Sequence, residues 1–328
     1  MKDKIAVYFH KTKTISEKYK HNDIVTLQFF QRHNNVKLCG MNEVLKLLQD
    51  NTNLKKYKIR YLPEGSIIQN RDVVLELEGP YYEFGIWEGM IDGILARQTS
   101  IATNAYRIMQ VANGKKVISM ADRADHYINQ SNDAYAIEVG GIKYHSTLAS
   151  ANGNPEYAYG SMPHALIQMF NGNIVEACKA YLEMFPNDNL IALVDFHNDV
   201  ISDSLKCLKA FGKILKGVRI DTSKSLVDKM FKEGEAEFGV TPLQVKKLRK
   251  ELDANGGSHV KIIVSSGFDE KKIKLFEEEQ TPVDSYGVGA ALLRIKIHFS
   301  ADATKLNGIK IAKEGRYYLN NIKLLDYN

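Results

Sequence analysis

The sequence predicts an α/β protein built on a mostly parallel sheet, either an α/β barrel or a doubly wound sheet, behind a mixed α+β N-terminal region. Three observations predict it. From about residue 100 onward, short apolar runs alternate with helical segments, the pattern of parallel strands covered on both faces. Runs such as Leu190-Ile191-Ala192-Leu193-Val194 are continuously apolar, as a strand buried on both sides requires. Polar residues and glycines gather where these runs end, and the C-terminal rim of an α/β barrel is where its sites are built.

Before residue 100, Tyr57 to Leu62 and Val73 to Leu77 are β-rich runs around the turn signal Pro63-Glu64-Gly65. Beyond it, strands are expected at Lys116 to Met120, Ala136 to Gly140, Glu156 to Gly160, Leu190 to Phe196, Gly217 to Asp221, Val260 to Ser265 and Asp284 to Gly287. Helices are expected at Ala165 to Phe170 and Lys271 to Glu279, and short strands after Phe299 around Lys313-Glu314-Gly315-Arg316.

Composition narrows the function classes. The 328 residues are 44% hydrophobic, enough for one large domain or two moderate ones with a sizeable core. Lys and Arg number 44 against 39 Asp and Glu, a net charge of +5 spread along the chain. That excess suits phosphorylated anions and argues against nucleic acid, as does the lack of aromatic support around Lys246-Lys247-Leu248-Arg249-Lys250, which reads as an exposed helix face. Cys39, Cys178 and Cys207 form no CxxC pair, and no apolar run approaches the roughly 20 residues that span a bilayer. The start, Met1-Lys2-Asp3-Lys4 and a brief apolar run, lacks a signal peptide's hydrophobic segment, so a cytoplasmic setting without membrane partners is expected.

The chemistry centres on Gly160-Ser161-Met162-Pro163-His164-Ala165-Leu166, where a strand is expected to give way to a helix. A histidine at such a junction lies near free backbone N–H groups that attract phosphate, and its ring can act as acid, base or phosphoryl acceptor. The bland alternative is a capping or hydrogen-bonded structural histidine. Asp195, Arg219 with Asp221, Ser265-Ser266-Gly267 and Gly287-Val288-Gly289 fall at the ends of the expected strands. Arg219 offers a fixed cationic fork, and Asp221 an acceptor for sugar hydroxyls or a metal ligand. An ion pair capping the strand end is the plainer reading of those two. The two glycine-bearing loops allow backbone amides to approach a phosphate, although each alone reads equally well as a tight turn. Tyr81, Tyr82 and Trp87 are expected in core or interface packing, and Asp122, Asp125 and His126 in a solvated or ion-paired loop.

Taken together, the blocks Pro63-Glu64-Gly65, Glu78-Gly79-Pro80-Tyr81-Tyr82-Glu83-Phe84, Ser100-Ile101-Ala102-Thr103, Gly160 to Leu166, Ala192-Leu193-Val194-Asp195, Val218-Arg219-Ile220-Asp221-Thr222, Ile263 to Glu270 and Tyr286-Gly287-Val288-Gly289 resemble, in order, those of the nicotinate phosphoribosyltransferase family in its shorter prokaryotic and archaeal form. The resemblance implies an irregular α/β barrel over about 101–294 and a smaller α+β domain from 1–100 completed by about 295–328. It implies transfer of a phosphoribosyl group from 5-phosphoribosyl-1-pyrophosphate to nicotinate, with Mg2+ present and ATP hydrolysed as co-substrate, in a homodimer or larger homo-oligomer. His164 matches the family's phosphorylated histidine, so His164, Asp195 and Asp221 are the implied catalytic residues. Arg123, Arg219, Ser265, Ser266, Gly267, Gly287 and Gly289 are the implied substrate-binding residues, with no metal ligand assigned.

Some stretches depart from the family pattern. Val25 stands where the family has a tyrosine that stacks on the pyridine ring, and Ala124 replaces the second arginine of a Gly-x-Arg-Arg segment while Arg123 remains. Gly140-Gly141-Ile142-Lys143-Tyr144-His145-Ser146 and Asp195-Phe196-His197 also differ. These changes keep two alternatives open: a phosphoribosyltransferase for nicotinamide or another heterocycle, and a non-catalytic binder of phosphoribosyl pyrophosphate.

Overall fold

A computed structural model describes residues 2–327 apart from 233 and 236. Two compact units divide the chain, one of Met1–Tyr106, Tyr135–Gly141 and Arg294–Asn328, the other of Arg107–Ala134 and Ile142–Leu293.

The first unit is built on a five-stranded antiparallel sheet in the order Ser300–Leu306, Ile24–Phe30, Val73–Pro80, Lys58–Tyr61, Leu325–Asp326. Its central strands are rich in aliphatic and aromatic residues, and Leu27, Phe29, Val74, Leu75 and Leu77 are buried. The helix Met41–Asn51 buries Met41, Val44, Leu45 and Leu48, spaced to lie on one face, in the same apolar core. Tyr82 and Trp87 are buried and Tyr81 meets Phe84 edge-on, so these aromatics pack within the unit.

Two carboxylates one helical turn apart, Glu88 and Asp92, open the helix Glu88–Val111. Burial pushes both up to about 7, helped by the charge of Asp92 on Glu88 and of Asp302 on Asp92. Asp92 Oδ1 is buried without a hydrogen-bond partner among the described residues. Both groups hold a proton more tightly folded than unfolded. Their contribution to stability is therefore full below the ordinary values of 4.5 and 3.8 and is lost as pH rises toward about 7. Asp92→Asn is expected to stabilise the protein by on the order of 1–3 kcal/mol at pH 8 and to change little at pH 4. Denaturant melts at both pH values check this, and a variant no more stable than the parent at pH 8 would contradict it.

The second unit carries a six-stranded, all-parallel sheet, curled into an open half-barrel, in the order Tyr144–His145, Lys116–Ser119, Ser285–Val288, Lys261–Val264, Leu215–Ile220, Leu190–Leu193. The fold class is the one the sequence predicts. Five of these strands coincide with expected apolar runs, and Leu193, Val218, Ile220, Ile262, Val264 and Val288 have no exposed surface. The helices Ile174–Met184, Val200–Phe211, Pro242–Ala254 and Glu270–Glu278 each begin with a side-chain cap, from Asn173, Asp199, Thr241 and Asp269. Among the described residues no helix is long and apolar enough to cross a membrane.

Two expected strands are corrected. Ala136 to Gly140 belongs largely to the helix Gln130–Val139, because burial of Asp133, Ala134, Ile137 and Gly140 follows helical spacing. Glu156 to Gly160 contributes only a parallel bridge between Ala158 and His145. Its first half forms a short 3-10 helix at Pro155–Tyr157, where Pro155 brings no N–H and the Asn154 side chain caps the Glu156 amide. The two-residue strand Tyr144–His145 takes a place at the sheet edge that the sequence did not signal. The exposed face expected for Lys246 to Lys250 is interrupted by Arg249, which turns inward to donate to the carbonyls of Gly257 and Val260.

Candidate active site

The helix His164–Met169 starts at the histidine itself, with Pro163 as its cap residue. Its imidazole is about half exposed, whereas Asp195, two residues beyond the strand Leu190–Leu193, is only 7% exposed. His164 Nε2 lies 3.1 Å from each oxygen of that carboxylate. Burial pushes the Asp195 carboxyl up from its ordinary value, the neighbouring His164 pulls it back down, and the charge of Asp221 adds to the upward push. A carboxylate on Nε2 holds the neutral ring's proton there, which leaves the Nδ1 lone pair as the nucleophile or base.

Arg219, near the end of the strand Leu215–Ile220, is the hub beside this pair. Its Nε donates to Ser161 Oγ at 3.2 Å and its Nη2 to the Met162 carbonyl at 3.0 Å, both in the loop that leads to His164. Its Nη1 lies 3.4 Å from Asp221 Oδ2 and 3.4 Å from Ser265 Oγ. Ser265 Oγ in turn donates to Asp221 Oδ1 at 2.7 Å. Neighbouring parallel strands thus deliver Arg219, Asp221 and Ser265 to one junction, a cationic fork held in place by a carboxylate and a hydroxyl.

Beyond Ser265 the backbone is left-handed at Ser266 (φ 73°) and Gly267 (φ 72°). For a side chain such as serine's this conformation costs about 1–2 kcal/mol. Lys272 Nζ steadies it by donating to the Ser266 carbonyl at 3.3 Å while lying over the Phe268 ring, and burial lowers the ammonium from its ordinary value. Gly287 and Gly289, expected as a second loop, do not form one. Gly287 lies within the strand Ser285–Val288, Gly289 follows directly, and neither has positive φ. The approach is close there: a Cβ on Gly287 would meet the end of the Met120 side chain, with Sδ at 2.6 Å, and Ser265 Cβ at 3.1 Å, so Met120 would have to swing aside. Gly287→Ala is expected to displace the Met120 side chain and crowd Ser265 Cβ, at a cost of about 1 kcal/mol. An unchanged denaturation midpoint would contradict that expectation.

The remaining expected residues lie outside this cluster. Arg123 is exposed and makes no hydrogen bond or ion pair among the described residues. Asp122 accepts from Ser146 Oγ at 2.7 Å, and His126 caps a short 3-10 helix and stacks on Tyr127. Among the described residues no group of three or more His, Cys, Asp or Glu is arranged to hold a metal ion. The loop after Asp195 has a second anchor, His197 Nδ1 at 2.9 Å from the fully buried Asp203, which also pairs with Lys206. No pattern in the sequence assigns a role to Ser161, Met162, Lys272 or His197. The first two lie inside the Gly160 to Leu166 motif, but nothing in the sequence names Arg219 as their partner.

Residues 6–99 match the sequence model described as the quinolinate phosphoribosyl transferase N-terminal domain. A nicotinate phosphoribosyltransferase of Mycobacterium tuberculosis is 30% identical over 238 residues, 70% of this chain and 48% of that protein. The Bacillus subtilis nicotinate phosphoribosyltransferase is 26% identical over 238 residues, 71% of this chain and 45% of that protein. The chain thus spans about half the length of the curated relatives it matches. Among solved structures, the nicotinate-nucleotide pyrophosphorylase of Pyrococcus furiosus superimposes with a TM-score of 0.82 at 32% identity, covering 96% of this chain and 78% of that one. The human nicotinic acid phosphoribosyltransferase shares the fold, with a TM-score of 0.71 at 17% identity, over 93% of this chain and 75% of that one.

Proposed function

The chain belongs to the nicotinate phosphoribosyltransferase family, and from that premise we propose that it joins nicotinate to 5-phosphoribosyl-1-pyrophosphate, giving nicotinate mononucleotide and pyrophosphate with hydrolysis of ATP, the first step of NAD salvage. The observation that carries this reading is the junction of Arg219, Asp221 and Ser265 beside the His164–Asp195 pair.

In the reaction the bond from the sugar C1′ to pyrophosphate breaks as the pyridine nitrogen bonds to C1′, so positive charge develops on the sugar and negative charge on the leaving group. Asp221 and Asp195 supply carboxylates for the first, and Arg219 a bidentate cation for the phosphoribosyl group. The Ser265–Gly267 loop receives the 5′-phosphate, and Gly287 and Gly289 give it room. Bound through the donor's phosphates, magnesium would neutralise charge on the departing pyrophosphate. Both oxygens of Asp195 and of Asp221 already have partners, and an ion bound through phosphates needs few protein ligands. His164 Nδ1 takes the γ-phosphoryl group of ATP with release of ADP and later loses it to water as phosphate, and while it is held the added charge draws the Ser161–His164 loop toward cationic partners. A homodimer or higher homo-oligomer in the cytoplasm completes the proposal.

One observation favours a second acceptor. Val25 and Ala124 leave the base with fewer aromatic and cationic partners, which suits an uncharged ring such as nicotinamide. Competition separates the two: in the presence of phosphoribosyl pyrophosphate and magnesium, unlabelled nicotinate is expected to displace labelled nicotinate at least about tenfold more effectively than nicotinamide does. Stronger displacement by nicotinamide would transfer the proposal to the second acceptor.

A further inference from the structure

Paired residues of the parallel sheet run in one row from Arg219 through Ile263 and Ser285 to Lys116. In a parallel ladder the side chains of one row project to the same face, so Lys116 and Arg219 are two cations on one face of the half-barrel. Lys116 has no carboxylate partner among the described residues. Its ammonium instead lies 4.3 Å from the ring centroids of both Tyr144 and Tyr159 and donates to Tyr159 OH at 3.0 Å, with the two rings edge-on to each other. Tyr159 is also fixed by its own amide, which donates to the His145 carbonyl at 2.7 Å.

Four residues separate this cage from His164, and Arg219 holds the middle of that stretch through Ser161 and Met162. The loop carrying His164 therefore has two cationic anchors. They differ in one respect: Arg219 is the proposed ligand of an anionic substrate, and a phosphate that takes two of its N–H groups competes with Ser161 and Met162 for the same donors. The Lys116 anchor, a half-buried ammonium held by Tyr144 and Tyr159, shares none of those donors.

We propose that Lys116 is a positioning residue for His164, its ammonium between Tyr144 and Tyr159 holding the loop in place when substrate engages Arg219. The inference rests on the proposed roles of His164 and Arg219. Lys116→Met removes the charge while keeping an unbranched side chain, Lys116→Arg keeps a cation that stacks on tyrosine, and Tyr159→Phe removes only the hydroxyl acceptor. Lys116→Met is expected to lower kcat at least about tenfold with KM for phosphoribosyl pyrophosphate within about twofold of the parent, and Lys116→Arg to restore most of the loss. Tyr159→Phe is expected to fall between them, and it carries the test if Lys116→Met does not fold.

Nitrogen-15 NMR of the His164 ring provides a readout independent of turnover. The parent is expected to keep the proton on Nε2 as phosphoribosyl pyrophosphate and magnesium are added, and Lys116→Met to lose that preference only once the donor is bound. In a parent that binds donor and forms product, a Lys116→Met protein that keeps the Nε2 proton as the parent does at every donor concentration, with unchanged kcat, overturns this inference alone. A parent with neither donor binding nor product overturns the proposed function and this inference with it.

Discussion

Arg219→Ala is expected to lower kcat/KM for phosphoribosyl pyrophosphate at least about a hundredfold, chiefly through KM. A hydrogen bond to a charged group contributes about 1.5–3 kcal/mol, and a forked guanidinium on a phosphoribosyl group makes two, so even the low end of that range amounts to about 3 kcal/mol. The variant also loses the Ser161 and Met162 contacts and leaves Asp221, only 19% exposed, facing Ser265 without its cation. Removing one partner of such a pair costs a few kcal/mol of stability, less here because both groups keep some contact with water. Arg219→Lys should recover the charge but not the fork, and so only part of the affinity. Steady-state kinetics with titration calorimetry of the donor check this, and an unchanged KM in a folded Arg219→Ala protein would remove Arg219 from the site.

His164→Ala carries the second large effect. It is expected to abolish ATP hydrolysis and the stimulation of product formation by ATP, and to lower ATP-supported kcat by about 10²–10⁴. Because the ring is about half exposed, the fold should survive its removal. The partner feels the loss. His164 is the influence that pulls the buried Asp195 carboxyl down, so without it that carboxyl titrates still higher. A raised carboxylate contributes stability below its ordinary value of 3.8 and loses it as pH rises through the folded value. The deficit of His164→Ala relative to the parent should therefore grow with pH and vanish in acid. ATP coupling that persists in the variant, or a deficit independent of pH, would take His164 and Asp195 apart as a functional pair.

Much of the second unit was legible because burial on both faces forces continuous apolar runs, as at Leu190–Leu193 and Lys261–Val264. Where the apolar run was short, that signal failed. Ala134, Ala136 and Ile137 suit a helix as well as a strand, and the burial that decides between them comes from tertiary packing. Gly287 was legible as a residue of consequence but not for its reason, since the sequence cannot distinguish a glycine needed for a left-handed turn from one needed to clear Met120 and Ser265. Arg219, Asp221 and Ser265 could be picked out because parallel strands deliver their last residues to one rim. The linkage of Arg219 to Ser161 spans 58 residues and that of Lys116 to Tyr159 spans 43, and no local pattern encodes either.

Transfer of a phosphoribosyl group from 5-phosphoribosyl-1-pyrophosphate to nicotinate is read out by mass analysis of the products. Purified protein is mixed with phosphoribosyl pyrophosphate, magnesium and either nicotinate or nicotinamide, with and without ATP, and followed over many turnovers. Nicotinate mononucleotide and pyrophosphate are expected from the nicotinate mixture, in amounts raised by ATP. No nucleotide from either base, in a protein that still binds phosphoribosyl pyrophosphate, would contradict that expectation and identify a binder of the donor instead.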